Sequence, residues 1–282
     1  MSEVINFTKM HGLGNDFVVI NAISQQIDLS SSQIKFIADR HLGVGCDQLL
    51  LVEKPADSAL AEFRYRIFNC DGGEVEQCGN GARCFALFVR QQGLTTNKLI
   101  SVETAKGLIQ LEVTGEADDQ VRVDMGEPNF EPESLPFLTE SRAESYNLVV
   151  NGAEYAIGAV SMGNPHVVLQ VENLAGFDVQ TLGKAIENHP QFPARVNVGF
   201  MQIINRDEFR LRVFERGAGE TLACGTGACA AMAVARMQGL LNEQALAHLS
   251  GGDLSLAWPG EGHALIMTGP ATTCKLGMRL RL

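Results

Sequence analysis

The 282-residue chain has no run of 18 consecutive apolar residues, the minimum for a membrane-spanning helix. Its first residues, Met1 to Thr8, also lack the basic stretch and apolar run of a secretory signal. A soluble, cytoplasmic protein is therefore expected. Positive charge is scarce: 22 lysines and arginines face 33 aspartates and glutamates, a net charge of −11, which argues against nucleic-acid phosphates or anionic membranes as the main partner. The seven cysteines never fall at C-x-x-C spacing, and the six histidines form no H-x-x-x-H or H-E-x-x-H cluster, so no metal site is expected. Cysteines odd in number and scattered along a long chain do not make a disulfide framework either, and reduced thiols follow. The full dinucleotide-binding glycine pattern and the Walker lysine are both missing, which removes nucleotide loops. What is present is 45% hydrophobic sequence, enough core for two domains, and a charge balance that leaves room for a small ligand of mixed charge.

One stretch occurs twice. Phe63 to Gly81 reads FRYRIFNCDGGEVEQCGNG and Phe209 to Gly227 reads FRLRVFERGAGETLACGTG, in register at a constant offset of 146 with nine identities in nineteen positions. Unrelated strands would not carry Cys-Gly-x-Gly into the same place, so the chain reads as two related halves, each with a cysteine at the mouth of a helix. A second echo, Gly14-Asn15-Asp16-Phe17-Val18-Val19 against Gly163-Asn164-Pro165-His166-Val167-Val168, has an offset of 149.

The predicted fold class is α+β: two pseudo-symmetric domains from an internal duplication, each a mostly antiparallel curled sheet around a central buried helix. The helices are expected at Ala82 to Val89 and Ala228 to Ala235, apolar almost all round, with Gly93 and Gly239 ending them. Shorter helices are expected from the Ser30-Ser31-Ser32 caps to about Arg40, and at Val179 to Glu187. Strands are expected at Val4 to Met10, Phe17 to Ile20, Gln48 to Glu53, Phe63 to Phe68, Leu99 to Thr104, Leu108 to Val113, Val121 to Met125, Glu154 to Val160, Val196 to Asn205 and Glu208 to Phe214. Gly126 to Glu144, with three prolines among acidic residues, reads as the connecting segment. The domains then run 1–125 and 126–270, with a C-terminal strand at about 271–282 as a candidate to return to the first.

A cysteine at a helix start meets unpaired N–H groups and the positive end of the backbone dipoles, which favours its thiolate and lowers a thiol pKa from about 8.5 toward roughly 3.5 to 7.5. Cys78 and Cys224 hold equivalent positions, and Gly79-Asn80-Gly81 and Gly225-Thr226-Gly227 leave amides open to a ligand carboxylate. If the halves close on each other, two thiols face one bound molecule. Inverting a tetrahedral carbon needs a base on one face and an acid on the other, which one thiolate and one thiol supply. Cys46, Cys70, Cys84, Cys229 and Cys274 read instead as small core hydrophobes.

The stretches Met10 to Phe17, Gln77 to Cys84, Gly163 to His166, Glu215 to Thr221 and Ala223 to Gly227 together resemble the signatures of the diaminopimelate epimerase family across nearly the whole chain. The resemblance implies a cofactor-independent epimerase interconverting LL- and meso-diaminopimelate, on the route to lysine and the cell-wall cross-link, and a homodimer. It makes Cys78 and Cys224 the acid and base pair. It assigns substrate binding to Asn15, Gln48, Asn69, Gly79, Asn80, Asn164, Asn197, Glu215, Arg216, Gly225 and Thr226, with the Arg216 fork suited to a distal carboxylate. His166 and Glu215 are implied to tune the thiols, although His166 alone, in an apolar run, reads as a satisfied core histidine. Two alternatives stand beside this: a proline or hydroxyproline racemase-like enzyme, and a non-catalytic protein that clamps a zwitterion.

Overall fold

The computed structural model describes residues 4–75, 78–115 and 119–281. The chain splits into two compact units, Met1–Val123 with Gly269–Leu282, and Asp124–Thr268. The first unit opens with β1 (Val4–Gly12), β2 (Asn15–Asn21), α1 (Ser31–Ala38), β3 (Gln48–Glu53), β4 (Phe63–Asn69), β5 (Glu74–Val75), α2 (Gly79–Gln91), β6 (Leu99–Thr104), β7 (Gly107–Thr114) and β8 (Gln120–Asp124). The second carries β9 (Tyr146–Val150), β10 (Ala153–Ser161), β11 (Pro165–Gln170), α3 (Val179–Glu187), β12 (Asn197–Asn205), β13 (Glu208–Glu215), β14 (Gly219–Thr221), α4 (Gly225–Met237), β15 (Gln244–Leu249), β16 (Gly252–Ala257) and β17 (Ile266–Pro270). The last strand, β18 (Thr272–Arg281), runs antiparallel to β1, with Ile5 opposite Leu280.

Pairing shows the duplication independently of residue identity. In the first unit β2 and β3 are parallel with Phe17 opposite Gln48, and in the second β11 and β12 are parallel with His166 opposite Asn197. β4 pairs in parallel with β6 at Phe63 and Val102, as β13 does with β15 at Phe209 and Ala247. The other neighbours are antiparallel: β3 with β4, β6 with β7, β12 with β13 and β15 with β16. The fold is the mixed, mostly antiparallel α+β duplication that the repeat implies.

The apolar runs Phe17 to Ile20 and Leu49 to Val52 are buried along their whole length because a helix covers each face of their sheet. Ile34 and Ile37 of α1 meet Val18, Ile20, Leu49 and Leu51 on one face. On the other, α2 packs against β1, β2, β3 and β7, and Phe85 meets Tyr65 edge-on at 5.3 Å. α4 sits likewise on β10 to β13 and β16. Each Phe, Leu or Val buried this way stabilises by about 1.5–3 kcal/mol, so the central helices are held by tertiary burial more than by intrinsic propensity.

The two central helices also begin and end alike, and each is longer than its apolar stretch. Cys78 and Cys224 are the N-caps, with extended backbones at φ −141°, ψ 120° and φ −122°, ψ 108°. At the other end Gly93 and Gly239 take φ of 64° and 71°. Their N–H groups and those of Leu94 and Leu240 then close on the carbonyls of Arg90, Arg236, Val89 and Ala235, a paired C-terminal lock available to glycine. Residues 126–144 do not form a free connector. They lie inside the second unit, where Leu135 and Phe137 join the cluster around α3 and Phe137 stacks on Phe192 at 4.6 Å. Apolar side chains spaced among the prolines anchor a segment that has little repeating backbone structure. Among the described residues no helix is long and apolar enough to cross a membrane.

Candidate active site

In the first unit the end of β1, the start of β2 and the cap of α2 converge. Cys78 is half-buried, and its Sγ–H donates to Asn15 Oδ1 at 3.7 Å. The same oxygen accepts from Asn80 Nδ2 at 3.2 Å, while Asn15 Nδ2 donates to Asp47 Oδ2 at 3.1 Å. Asp47 is in turn held by Arg40, which also forks onto Asp16 at 2.8 and 3.1 Å. Burial alone would raise Asp16, but hydrogen bonds from Arg40 and Lys9 outweigh it and hold the carboxyl well below its ordinary range. Exposed pairs such as Arg40 with Asp47 contribute about 0–1 kcal/mol, so the value of this network lies in orienting Asn15 rather than in stability.

The predicted Gln48 and Asn69 face each other across β3 and β4, with Gln48 Nε2 donating to Asn69 Oδ1 at 2.9 Å. Gln48 Oε1 is buried without a hydrogen-bond partner among the described residues. A buried amide oxygen left so costs about 1–3 kcal/mol, which a donor on a ligand would recover. Gln77, at the head of the first cysteine motif, lies outside the described residues.

The second unit repeats the arrangement with different chemistry. Cys224 is only 4% exposed, its Sγ accepts from the Gly227 N–H at 3.4 Å, and Thr226 Oγ1 lies 3.5 Å away. Thr226 Oγ1 accepts from Asn164 Nδ2 at 3.4 Å, and Asn164 Oδ1 sits 3.1 Å from His166 Nε2. Buried Asn197 donates from Nδ2 to Pro165 O and accepts at Oδ1 from the Arg216 N–H, each at 2.9 Å. It therefore holds the backbone of Arg216 and of the Asn164-Pro165 turn. The Arg216 side chain is exposed, with one nitrogen on Ala194 O at 3.1 Å. Glu215 accepts from the Thr221 hydroxyl at 2.6 Å.

Several expectations change here. Burial pushes the Cys224 thiol well above its ordinary value, with the Glu215 carboxylate adding to the rise, although a helix start was expected to lower it. The partial charge of a helix terminus and one N–H contact do not replace lost water beside a negative neighbour. His166 is both a core residue and part of the polar chain: burial, then the charge of Arg216, brings it down to about 3, so the imidazole is neutral. The glycines after each cysteine have a packing reason beyond open amides, since a Cβ on Gly81 would meet Tyr65 Oη at 2.6 Å and one on Gly227 would meet Val213 at 2.9 Å. Of the five cysteines read as core residues, Cys46, Cys84 and Cys229 are buried, but Cys70 and Cys274 are exposed. Desolvation raises Cys46 to about 11 and takes Cys84 higher still, so neither is a nucleophile near neutral pH.

Sequence reasoning missed Asp47, Glu187 and Arg83. Glu187, 6% exposed, accepts from the Gly217 N–H at 2.7 Å and supports the Arg216 loop. Only Arg83 had a visible signal, a charge inside an otherwise apolar helix.

The family model for diaminopimelate epimerase matches residues 7–131 and 158–274. The chain belongs to the diaminopimelate epimerase family. Among curated relatives it is 61% identical to the diaminopimelate epimerase of Thioalkalivibrio sulfidiphilus over 269 residues, covering 95% of this chain and 96% of the relative. It is 58% identical to that of Chromobacterium violaceum at the same coverage. Solved structures extend the fold beyond diaminopimelate epimerases. A hydroxyproline epimerase from Agrobacterium vitis superposes with a TM-score of 0.73 at 16% identity, over 99% of this chain and 93% of its own. A PhzF-family phenazine biosynthesis protein from Bacillus anthracis gives 0.68 at 16%, over 99% of each chain. At such identities the likeness is one of fold alone. The racemase-like alternative thus shares the architecture, while the sequence relationship lies with diaminopimelate epimerases, a family of isomerases.

Proposed function

We propose that this chain inverts one α-carbon of LL-diaminopimelate to give meso-diaminopimelate, a step toward lysine and the cell-wall cross-link, with Cys78 and Cys224 as the proton-transfer pair. The observation that carries the assignment is the repeated N-cap: each duplicated half sets one cysteine at the start of a buried helix, with the equivalent asparagine contacting Cys78 itself in the first half and Thr226, two residues after Cys224, in the second. One sulfur, as thiolate, takes the α-proton. The carbon becomes planar, and the other sulfur, as thiol, returns a proton to the opposite face. Bond count and charge balance, and the two sulfurs exchange protonation states in each turnover.

The carboxylate next to the reacting carbon carries charge that grows as the carbon flattens, and helix-start amides are suited to stabilise it. Gln48 Oε1 offers a buried acceptor for a substrate ammonium, and Arg216 a fork for the distal carboxylate. Asn197 and Glu187 act by holding the Arg216 loop. Burial favours the protonated form of Cys224 in the ligand-free unit. A homodimer is kept as part of this reading on the family resemblance.

The test is turnover of LL-diaminopimelate in heavy water, followed by chiral chromatography and mass spectrometry. Each product molecule is expected to carry solvent deuterium at the inverted carbon. Cys78→Ala and Cys224→Ala are each expected to slow epimerisation by at least about 10²–10⁴-fold, the usual worth of a positioned acid or base. Binding without deuterium uptake would establish the zwitterion clamp instead, and faster turnover of L-proline would establish the racemase.

A further inference from the structure

Arg83 is fully buried on α2, among Ala82, Cys84, Phe85 and Ala86, all at 0% exposure. Taking a guanidinium out of water costs several kcal/mol unless its donors are met, so its presence in an apolar helix calls for a use. Its Nε donates to Pro270 O and its Nη2 to Asn80 Oδ1, both at 3.0 Å. A Cβ on Gly12 would meet Nη2 at 3.1 Å, so β1 presses close to the guanidinium. A guanidinium only donates, which settles the Asn80 amide: its oxygen faces Arg83 and its Nδ2 faces Asn15 Oδ1 at 3.2 Å. Asn15 is gripped from its other end by the Asp47 carboxylate, an obligate acceptor. Both ends of Asn15 are therefore settled by charges, and its oxygen is the atom presented to Cys78 Sγ.

We propose that Arg83 is a positioning residue that, through Asn80, locks the Asn15 amide with its oxygen toward Cys78, so that the first thiol meets an acceptor and is held protonated until substrate displaces Asn15. The inference rests on the two-thiol reading. The second half anchors its asparagine from a different position. The counterpart of Arg83 at the 146 offset is Cys229, and the counterpart of Phe17 at the 149 offset is His166, which contacts Asn164. The distinguishing anchor thus lies on the helix in the first half and on the strand in the second. A neutral imidazole can exchange tautomers and let its amide turn, whereas Arg83 and Asp47 cannot, so only the first relay has a fixed direction.

Among the titratable groups around Cys78, Tyr65, whose hydroxyl donates to Cys78 O at 3.3 Å, and Cys84 are both kept uncharged by burial. Among the described residues, the charges that reach it through Asn15 are Arg83, Asp47, Arg40, Asp16 and Lys9. The experiment measures the pH midpoint of Cys78 alkylation by iodoacetamide, resolved by peptide mass spectrometry, in the full-length protein. This readout does not depend on turnover and so stands apart from failure of the proposed activity. Removing a cation would by charge alone raise the midpoint. Freeing the Asn15 amide to turn its N–H toward sulfur lowers it. Arg83→Met is expected to lower the midpoint by about one unit, with about tenfold faster alkylation at pH 7. Asn80→Ser, which removes the amide donor and puts a hydroxyl where the other half has Thr226, keeps the test open if Arg83→Met does not fold, and it should act the same way. In an Asn15→Ala background neither change should shift the midpoint further. An unchanged or raised midpoint in Asn80→Ser, or a shift that persists without Asn15, overturns the proposal.

Discussion

At the scale of single residues the two halves solve one problem with different side chains. Cys224 is desolvated and beside a carboxylate, whereas Cys78 is half-buried and faces an amide oxygen. His166 gives this scale a pH test. Its folded-state value of about 3 lies below its usual 6.5, so the unfolded chain takes up the proton first and acid favours unfolding. Its contribution is whole above about pH 6.5 and is lost as pH falls toward about 3, at about 1.4 kcal/mol per pH unit inside that window. Urea midpoints measured from pH 7 to pH 4 should fall in the wild type. In His166→Phe, which copies the residue at position 17, they should fall less steeply. An equal slope in both proteins would remove His166 as the cause.

At the scale of elements, helix seating depends on glycines that face side chains. Gly158 on β10 lies where a Cβ would come within 2.3 Å of Val234 Cγ1 on α4. Gly183 on α3 lies where a Cβ would meet the Phe214 ring at 2.6 Å. Neither glycine has a positive φ, so the penalty is one of space rather than of backbone conformation. Gly158→Ala is expected to cost about 1–3 kcal/mol in chemical unfolding, as overpacking does. Pairing it with Val234→Ala should return part of that loss, and no recovery in the pair would show that the clash is not the cause. At the start of α1, Ser30 and Gln33 cap each other reciprocally, and Ser30→Ala should lower stability by about 1 kcal/mol.

At the scale of the whole molecule the chain ends where it began. β18 lies along β1 from Val4 opposite Arg281 to His11 opposite Thr272, and β1 carries Ile5, Phe7 and Met10 into the core of the first unit. A chain stopped after Gly269 would leave that edge unpaired over nearly its full length. It is expected to lose cooperative unfolding of the first unit and to aggregate, read by hydrogen exchange in β1 and by light scattering. Unchanged exchange protection in β1 would show that the return strand is dispensable. Because the chain divides into two compact units, unfolding of the intact chain need not follow a single two-state transition.

The amino-acid order by itself determined the duplication, many of the strands in each half though not Tyr146–Val150 or Gln244–Leu249, and the two cysteines as helix caps. These are properties of neighbours along the chain: period-two burial, an apolar helical run ended by Gly93 or Gly239, and identical residues repeated in register. Only tertiary structure decided the rest. Whether Cys224 is raised or lowered depends on Glu215 and on lost water, which backbone groups Asn197 holds depends on Arg216 and Pro165, and the use of Arg83 depends on Asn80 and Asn15. Residues 126–144 found their place through Leu135 and Phe137 packing into the core around α3. Desolvation and hydrogen-bond direction are set by groups brought together from remote positions, and a local pattern does not record who those neighbours are.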